Sequence, residues 1–172
     1  MVLILVFAFS ALLIIVWSLI NGIGPMPSTS RQRKALLQCL PKTFNGTAYE
    51  LGSGWGTLAL AVARRHPQCS VVGYENSPVP YLFSRLLLSV WNVPNVQFRY
   101  GNIHRAELSD AALVMCYLYP GAMQELKPKL EKELRSGAQV VSNTFLVRGW
   151  EPHHVEEVRD LFRTKIYVYS CN

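Results

Sequence analysis

The ten residues 48–57, AYELGSGWGT, decide how this chain folds. Residues 48–51 read as a short strand that runs into Gly52, Gly54 and Gly56, and residues 58–65, LALAVARR, read as a helix that follows at once. A strand turning tightly into a helix leaves backbone N–H groups unpaired at the helix start, where they can face a ligand. The glycines let the backbone bend there and approach that ligand closely. A second strand, residues 69–74, ends at the acidic Glu75. It comes at the spacing of about twenty residues by which a doubly wound sheet places a carboxylate on a ribose. Together the two signals imply a nucleoside-containing cofactor.

The dinucleotide fingerprint G-x-G-x-x-G/A is not met, because Thr57 holds its third position and Gly56 comes one place early. Glu50, two residues before the first glycine, would repel a pyrophosphate but suits a cofactor that carries cationic groups. The pattern E-x-G-x-G-x-G resembles motif I of the class I S-adenosylmethionine (SAM)-dependent methyltransferases. That resemblance implies SAM as the cofactor, with Glu50 beside its methionine ammonium and Gly52, Ser53, Gly54, Trp55 and Gly56 around it. Glu75, followed by Asn76, is expected on the ribose. Trp55 either covers the methionine end or packs. NAD, or a glycine turn with no ligand, is the alternative.

Composition separates the amino terminus from the rest. The chain is 50% hydrophobic and carries a net charge of +6, yet residues 2–20 hold no charge and only Ser10 and Ser18 are polar. A helix of that length spans roughly 28 Å, about the hydrocarbon core of a bilayer. A secretory signal peptide is the rival, but no Lys or Arg precedes the apolar run and no A-x-A-like cleavage site follows it. The expectation is a single-pass anchor over residues 1–20, a Gly/Pro linker over 21–28 and one domain over 29–172. Arg31, Arg33 and Lys34 follow the span and nothing basic precedes it, which puts that domain on the cytoplasmic side of the membrane. Cys39, Cys69, Cys116 and Cys171 form no C-x-x-C pair, and the four histidines lack ligand spacing, so no metal site is expected and the histidines are read as surface residues.

Thr29 and Gln32 make a capping box for a helix that ends before Pro41. Pro25 to Ser30 is either a linker with a cap or a lid over the cofactor, in which case Thr29 and Ser30 touch it. Beyond Glu75, a proline-bearing turn leads to a helix over 81–91 that is apolar nearly all round, as suits packing on a sheet. Residues 96–100 alternate and read as a strand near an edge; Gly101-Asn102-Ile103 follows. Residues 111–118 are a continuous apolar run, the pattern of a central parallel strand. A helix over 121–135 is expected to break at Pro128 and stop at Gly137. Residues 138–144 are a fifth strand, and 154–161 with 165–170 a closing hairpin. The expected fold is α/β, a compact Rossmann-like sheet of seven strands with some crossover helices trimmed away.

Several segments together resemble the membrane-anchored protein-lysine methyltransferases related to the mitochondrial ATP synthase c-subunit lysine methyltransferase. They are the apolar start, the Pro-rich lead-in, Glu50 to Gly56, residues 73–78 (GYENSP), Ser84-Arg85, Leu118-Tyr-Pro120, residues 126–134, and residues 137–142 running on to Trp150. The resemblance implies methyl transfer from SAM to lysine ε-amines of a protein, often a membrane protein, and a prokaryotic plasma-membrane setting. It also implies contacts from Asn102 and Ile103 to the adenine, with Asn102 standing where the family often has Asp. Tyr119 and Pro120, after the fourth strand, are nominated for the substrate-side wall. Aromatic faces attract a cation, and a dry pocket favours a neutral lysine. The lysines and glutamates interleaved over 125–135 read as a solvated face, so a nucleic-acid partner is not expected. Anionic lipid headgroups are the simpler match for the basic balance. A methyltransferase of a lipid or membrane-dissolved small molecule, and a SAM-binding protein without activity, are the alternatives.

Overall fold

The computed structural model describes residues 28–171, together with residues 1, 4 and 9–16. Seven strands form one sheet: β1 (Thr47–Leu51), β2 (Ser70–Glu75), β3 (Val96–Tyr100), β4 (Ala111–Cys116), β5 (Gln139–Asn143), β6 (His154–Glu157) and β7 (Lys165–Ser170). Their order is β3-β2-β1-β4-β5-β7-β6. The first five are parallel, and β7 runs antiparallel between β5 and β6. This matches the seven-stranded α/β expectation, with β3 at the edge that its alternating pattern required. The order reverses between β1 and β4, so the crevice for a ligand lies beyond the carboxyl ends of those two strands.

Helices α1 (Ser30–Cys39), α2 (Thr57–Arg65) and α3 (Pro78–Trp91) cover one face of the sheet, where Leu36, Leu60, Val62, Phe98, Met115 and Ile166 share one core. Helix α4 (Pro120–Glu133) covers the other through Met123, Leu126 and Leu130, packed on Val114, Val140 and Tyr169. Helix α2 is short but buries Leu58, Ala59, Leu60, Val62 and Ala63. Each leucine buried this way contributes about 1.5–3 kcal/mol. The connection from β3 to β4 has room only for a single 3₁₀ turn, Ile103–Arg105.

The capping box at α1 is present in both directions: Thr29 Oγ1 accepts from the Gln32 N–H, and Gln32 Oε1 accepts from the Thr29 N–H. Elsewhere the structure corrects the sequence reading. Helix α3 begins at Pro78, three residues early, because Pro at the first helical position has a suitable φ and no N–H to lose. Its apolar surface is not all packed: Leu82, Leu86 and Val90 are 60% or more exposed, and only Pro80 and Ser84 are buried. Helix α4 runs through Pro128 without a break. Strand β4 stops at Cys116, strand β5 spans residues 139–143, and β6 stops at Glu157. The Asp160 carboxylate ends that last strand by accepting from the N–H groups of Phe162 and Thr164, which closes a turn.

His66 is not a surface residue. It caps α2, its ring lies 5.0 Å from that of Phe44, and it is 1% exposed. Burial, aided by the Arg65 charge, holds its pKa below the usual histidine value.

Half of the anchor expected over residues 1–20, and the linker expected over 21–28 except Ser28, lie outside the described residues. Residues 9–16 are helical, and among the described residues no helix is long and apolar enough to cross a membrane.

Candidate active site

At the carboxyl end of β1 the glycine loop takes the left-handed backbone that only glycine adopts without strain: φ is +79° at Gly52, +51° at Gly54 and +75° at Gly56. The three positions do different things. A Cβ on Gly56 would lie 2.5 Å from Phe98 Cζ, so this glycine lets the loop pack down on β3 and α3. A Cβ on Gly52 would lie 2.9 Å from Leu118 Cδ2, across the crevice from the end of β4. A Cβ on Gly54 would meet nothing within 4 Å. The middle of the loop therefore faces open space at the switch point.

Two carboxylates brace the loop. Glu75, at the end of β2, accepts from the N–H of Gly54 (2.6 Å) and of Ser77 (2.8 Å) and is 7% exposed. Glu50 accepts from the Ala59 N–H in the first turn of α2 (2.9 Å) and is equally buried. Burial pushes the Glu50 carboxyl up to about 8; the Ala59 hydrogen bond opposes the rise and the Glu75 charge adds to it. A buried carboxyl of this kind, short of a positive partner, fits a ligand carrying an ammonium. The open face at Gly54, with Glu75 bonded to its N–H and the buried Glu50 bonded to the start of α2, fits SAM.

The remaining expected residues fall around the same edge. The Trp55 ring meets Phe83 of α3 edge-on, 5.2 Å between centroids, so it packs on the α3 side of the loop. The Ser53 side chain turns inward, and its buried Oγ has no hydrogen-bond partner among the described residues. Asn76 is half-buried just past Glu75, with the Ser77 hydroxyl 3.5 Å from its Oδ1. Asn102 caps the 3₁₀ turn, its Oδ1 accepting from the His104 N–H at 2.9 Å. That oxygen keeps a second lone pair for an adenine amino group. Ile103 packs partly buried against the α4-side core. Thr29 uses its hydroxyl for the cap, and Ser30 accepts a long 3.4 Å hydrogen bond from Arg33.

Beyond β4, Tyr119 is the N-cap of α4 and Pro120 its first residue. The Tyr119 ring lies so close to Gly121 that a Cβ there would be 2.7 Å away. Tyr117 is half-buried and stacks on Phe145, 6.3 Å between centroids. Tyr117 therefore packs, while Tyr119 and Pro120 follow directly on Leu118, the side chain that comes up against Gly52.

Sequence reasoning missed Asn143. It ends β5 at this edge, is 1% exposed, and donates from Nδ2 to Ser28 Oγ at 3.3 Å. That bond brings the lead into α1 to the carboxyl edge of the sheet, 115 residues away in sequence. The only local signal was a polar residue closing an apolar strand. Among the described residues no cluster of His, Cys, Asp and Glu could hold a metal ion.

An open α/β sheet with a glycine loop and two carboxylates at its switch point defines a class, the nucleoside-cofactor-binding enzymes. Comparison with known proteins makes it particular. A model of the ANTKMT methyltransferase domain matches residues 50–154, and the chain belongs to that family of SAM-dependent methyltransferases. A protein-lysine N-methyltransferase of Saccharolobus islandicus is 28% identical, with 84% of this chain and 91% of that protein covered. The human lysine N-methyltransferase of the ATP synthase c-subunit is also 28% identical over 76% of this chain, which spans 55% of the human protein. The fold is shared with an RNA methyltransferase from Salinibacter ruber in complex with S-adenosyl-L-homocysteine. That likeness has a TM-score of 0.76 and 29% identity, and it covers 84% of this chain and 93% of the other.

Proposed function

We propose that this protein transfers methyl groups from SAM to lysine ε-amines of a protein, and that the acceptor is a membrane protein. The observation that carries the lysine reading is the likeness to the Saccharolobus protein-lysine N-methyltransferase, which spans nearly the whole of both chains. The uncharged run over residues 2–20 supports a single-pass anchor over 1–20, a linker over 21–28 and a domain over 29–172 on the cytoplasmic side, with the bilayer as a partner.

In this reading Glu50 holds the cofactor's ammonium, Glu75 its ribose and Asn102 its adenine, while Gly54 leaves room for it. Thr29 and Ser30 follow Ser28, which Asn143 holds, and close the site from the α1 side. Bound SAM supplies an electrophilic methyl on a positively charged sulfur that leaves readily. The chain's own task is to hold a neutral amine in line and keep water out; positioning of that kind can contribute several kcal/mol. Tyr119 and Pro120 form the wall against which the lysine lies. The Tyr119 ring tolerates both the amine and a partly methylated ammonium.

The test uses methyl-radiolabelled SAM, membranes from cells lacking this gene, and the full chain beside Glu75→Ala. Label should enter a discrete protein band with the wild type alone and be released as methyl-lysine on hydrolysis. The Salinibacter RNA methyltransferase favours a second reading, an RNA acceptor. Label in the RNA fraction would support that reading and sink the first. Label in a lipid extract would instead point to a lipid or membrane-dissolved small molecule.

A further inference from the structure

The loop from β6 to β7 holds two large apolar side chains in solvent: Leu161 is 91% exposed and Phe162 is 83% exposed. They are not on a loose loop. Asp160 Oδ1 accepts from the N–H of Phe162 (3.2 Å) and of Thr164 (2.9 Å), and Oδ2 accepts from Thr164 Oγ1 (2.7 Å). Gln32 Nε2, on α1, donates to both Asp160 Oδ2 and Thr164 Oγ1 at 3.0 Å, and Gln32 and Thr164 are themselves buried. Arg31 Nη1 adds a bond to the Arg159 carbonyl at 3.2 Å. A buried polar network thus fixes a turn whose outward product is two unpartnered hydrophobes. Exposed apolar groups presented this way mark a contact surface.

Charge around the tip says what kind. Arg31, Arg159, Arg163 and Lys165 are exposed in or next to this network, exposed Lys34 lies about one turn along α1 from Arg31, and Arg33 between them is half-buried. Against them stand Asp160, which is turned into the network, Glu157, which pairs with Arg163 at 2.7 Å, and Glu156 on β6, near His154. Two apolar side chains are far too small for a stable protein interface, which buries about 800 Å² per partner. A wedge of that size within a basic rim suits the interface of an anionic bilayer.

Position agrees. Strand β7 starts opposite the end of β5, with Ile166 paired to Asn143, so the tip lies at the carboxyl edge of the sheet. The same network ties it to the first turn of α1. Only residues 21–28 separate that turn from the uncharged run over residues 2–20. Eight residues reach at most about 28 Å.

We propose that Leu161 and Phe162 insert into the headgroup boundary of an anionic bilayer, with Arg31, Lys34, Arg159 and Lys165 on lipid phosphates. The carboxyl edge of the sheet, with its crevice, then faces the membrane. This extends the anchored reading above by a second, independent contact. If the lysine reading also holds, acceptor lysines lie close to the bilayer surface.

The test uses the full chain carrying a photoreactive phenylalanine analogue at position 162, or at position 151 as a control near the opposite end of the sheet. Each is reconstituted into vesicles of phosphatidylcholine with phosphatidylglycerol, or of phosphatidylcholine alone. On mixed vesicles, lipid adducts at 162 should exceed those at 151 about tenfold, and they should fall when the anionic lipid is left out. A chain that floats with the vesicles but gives equal adducts at both positions overturns the docking and leaves the anchor standing. Adducts from 162 to a protein overturn it in favour of a protein partner. A chain that does not float overturns both docking and anchor. As a second variant, Leu161→Ser with Phe162→Ser should keep the thermal shift on adding SAM and lose the vesicle-induced slowing of amide exchange over residues 158–164. Slowing that persists in this variant overturns the proposal.

Discussion

The two sides of the crevice are made differently. On the β1–β2 side most of the residues that shape the site come from one continuous stretch, residues 50–77, joined by Asn102 after β3, and the ties within that stretch are short bonds from backbone N–H groups to Glu50 and Glu75. On the β4–β5 side the same edge is assembled from distant pieces: Ser28 ahead of α1, Tyr117 to Pro120 after β4, Asn143 to Phe145 after β5, and the tip at 159–164. A small cofactor of fixed chemistry can be held by a local motif. An acceptor surface has to be composed from whatever the folded chain brings together.

The sharpest way to break this contrast lies inside the glycine loop. Gly56→Ala would set a Cβ 2.5 Å from Phe98 Cζ at φ +75°, whereas Gly54→Ala has free space. By urea unfolding the first should cost about 3 kcal/mol and the second only about 1 kcal/mol. The Gly54 variant should nevertheless bind SAM more weakly; equal unfolding costs would undo the distinction between a packing glycine and a ligand-facing one.

Glu75→Ala removes the acceptor of two loop N–H groups along with the proposed ribose partner. Calorimetry should find SAM binding weakened on the order of 10–100-fold. An unchanged affinity would move the cofactor away from β2.

Glu50 is expected to show itself through pH. Its folded-state pKa is raised from 4.5 to about 8, so between those values the folded protein binds a proton that the unfolded chain has released. Stability from this group is therefore complete below about pH 4.5 and is lost as pH rises through about 8. SAM affinity should run the other way over the same window, because the ammonium needs the ionised carboxylate. Glu50→Gln should flatten both profiles; a slope that survives in this variant assigns the titration to another group.

On the acceptor side, Tyr119→Ala should lower kcat/KM for a lysine substrate about tenfold and leave SAM affinity unchanged. A loss of SAM binding instead would show that the two sides are not separable. The smallest expected effect is Pro128→Ala, which returns a missing N–H to the interior of α4 and should stabilise the fold by about 1 kcal/mol in thermal unfolding. No gain would mean that the helix already compensates for the proline.

How much could be read in advance follows the same division. The glycine loop, Glu75 and the capping box at Thr29 are defined by neighbours within a few residues or by one strand-turn-helix unit, and they stand as the sequence implied. The edge position of β3 followed from its alternating pattern. His66, Leu82 and Leu86 went the other way, since burial depends on what a distant segment places beside a side chain. A histidine between an arginine pair and a proline looks exposed until Phe44 packs on it. An apolar helix looks buried until its outer half meets no partner among the described residues.

The sequence by itself determined the α/β sheet and the class of cofactor, because periodicity, glycine placement and one carboxylate at fixed spacing are local constraints on the backbone. Only the tertiary structure decided that Asn143 meets Ser28, that Leu118 comes up against Gly52, and that Gln32 of α1 holds the 159–164 tip. Those are contacts between segments far apart in the chain, and they exist only after the sheet has closed.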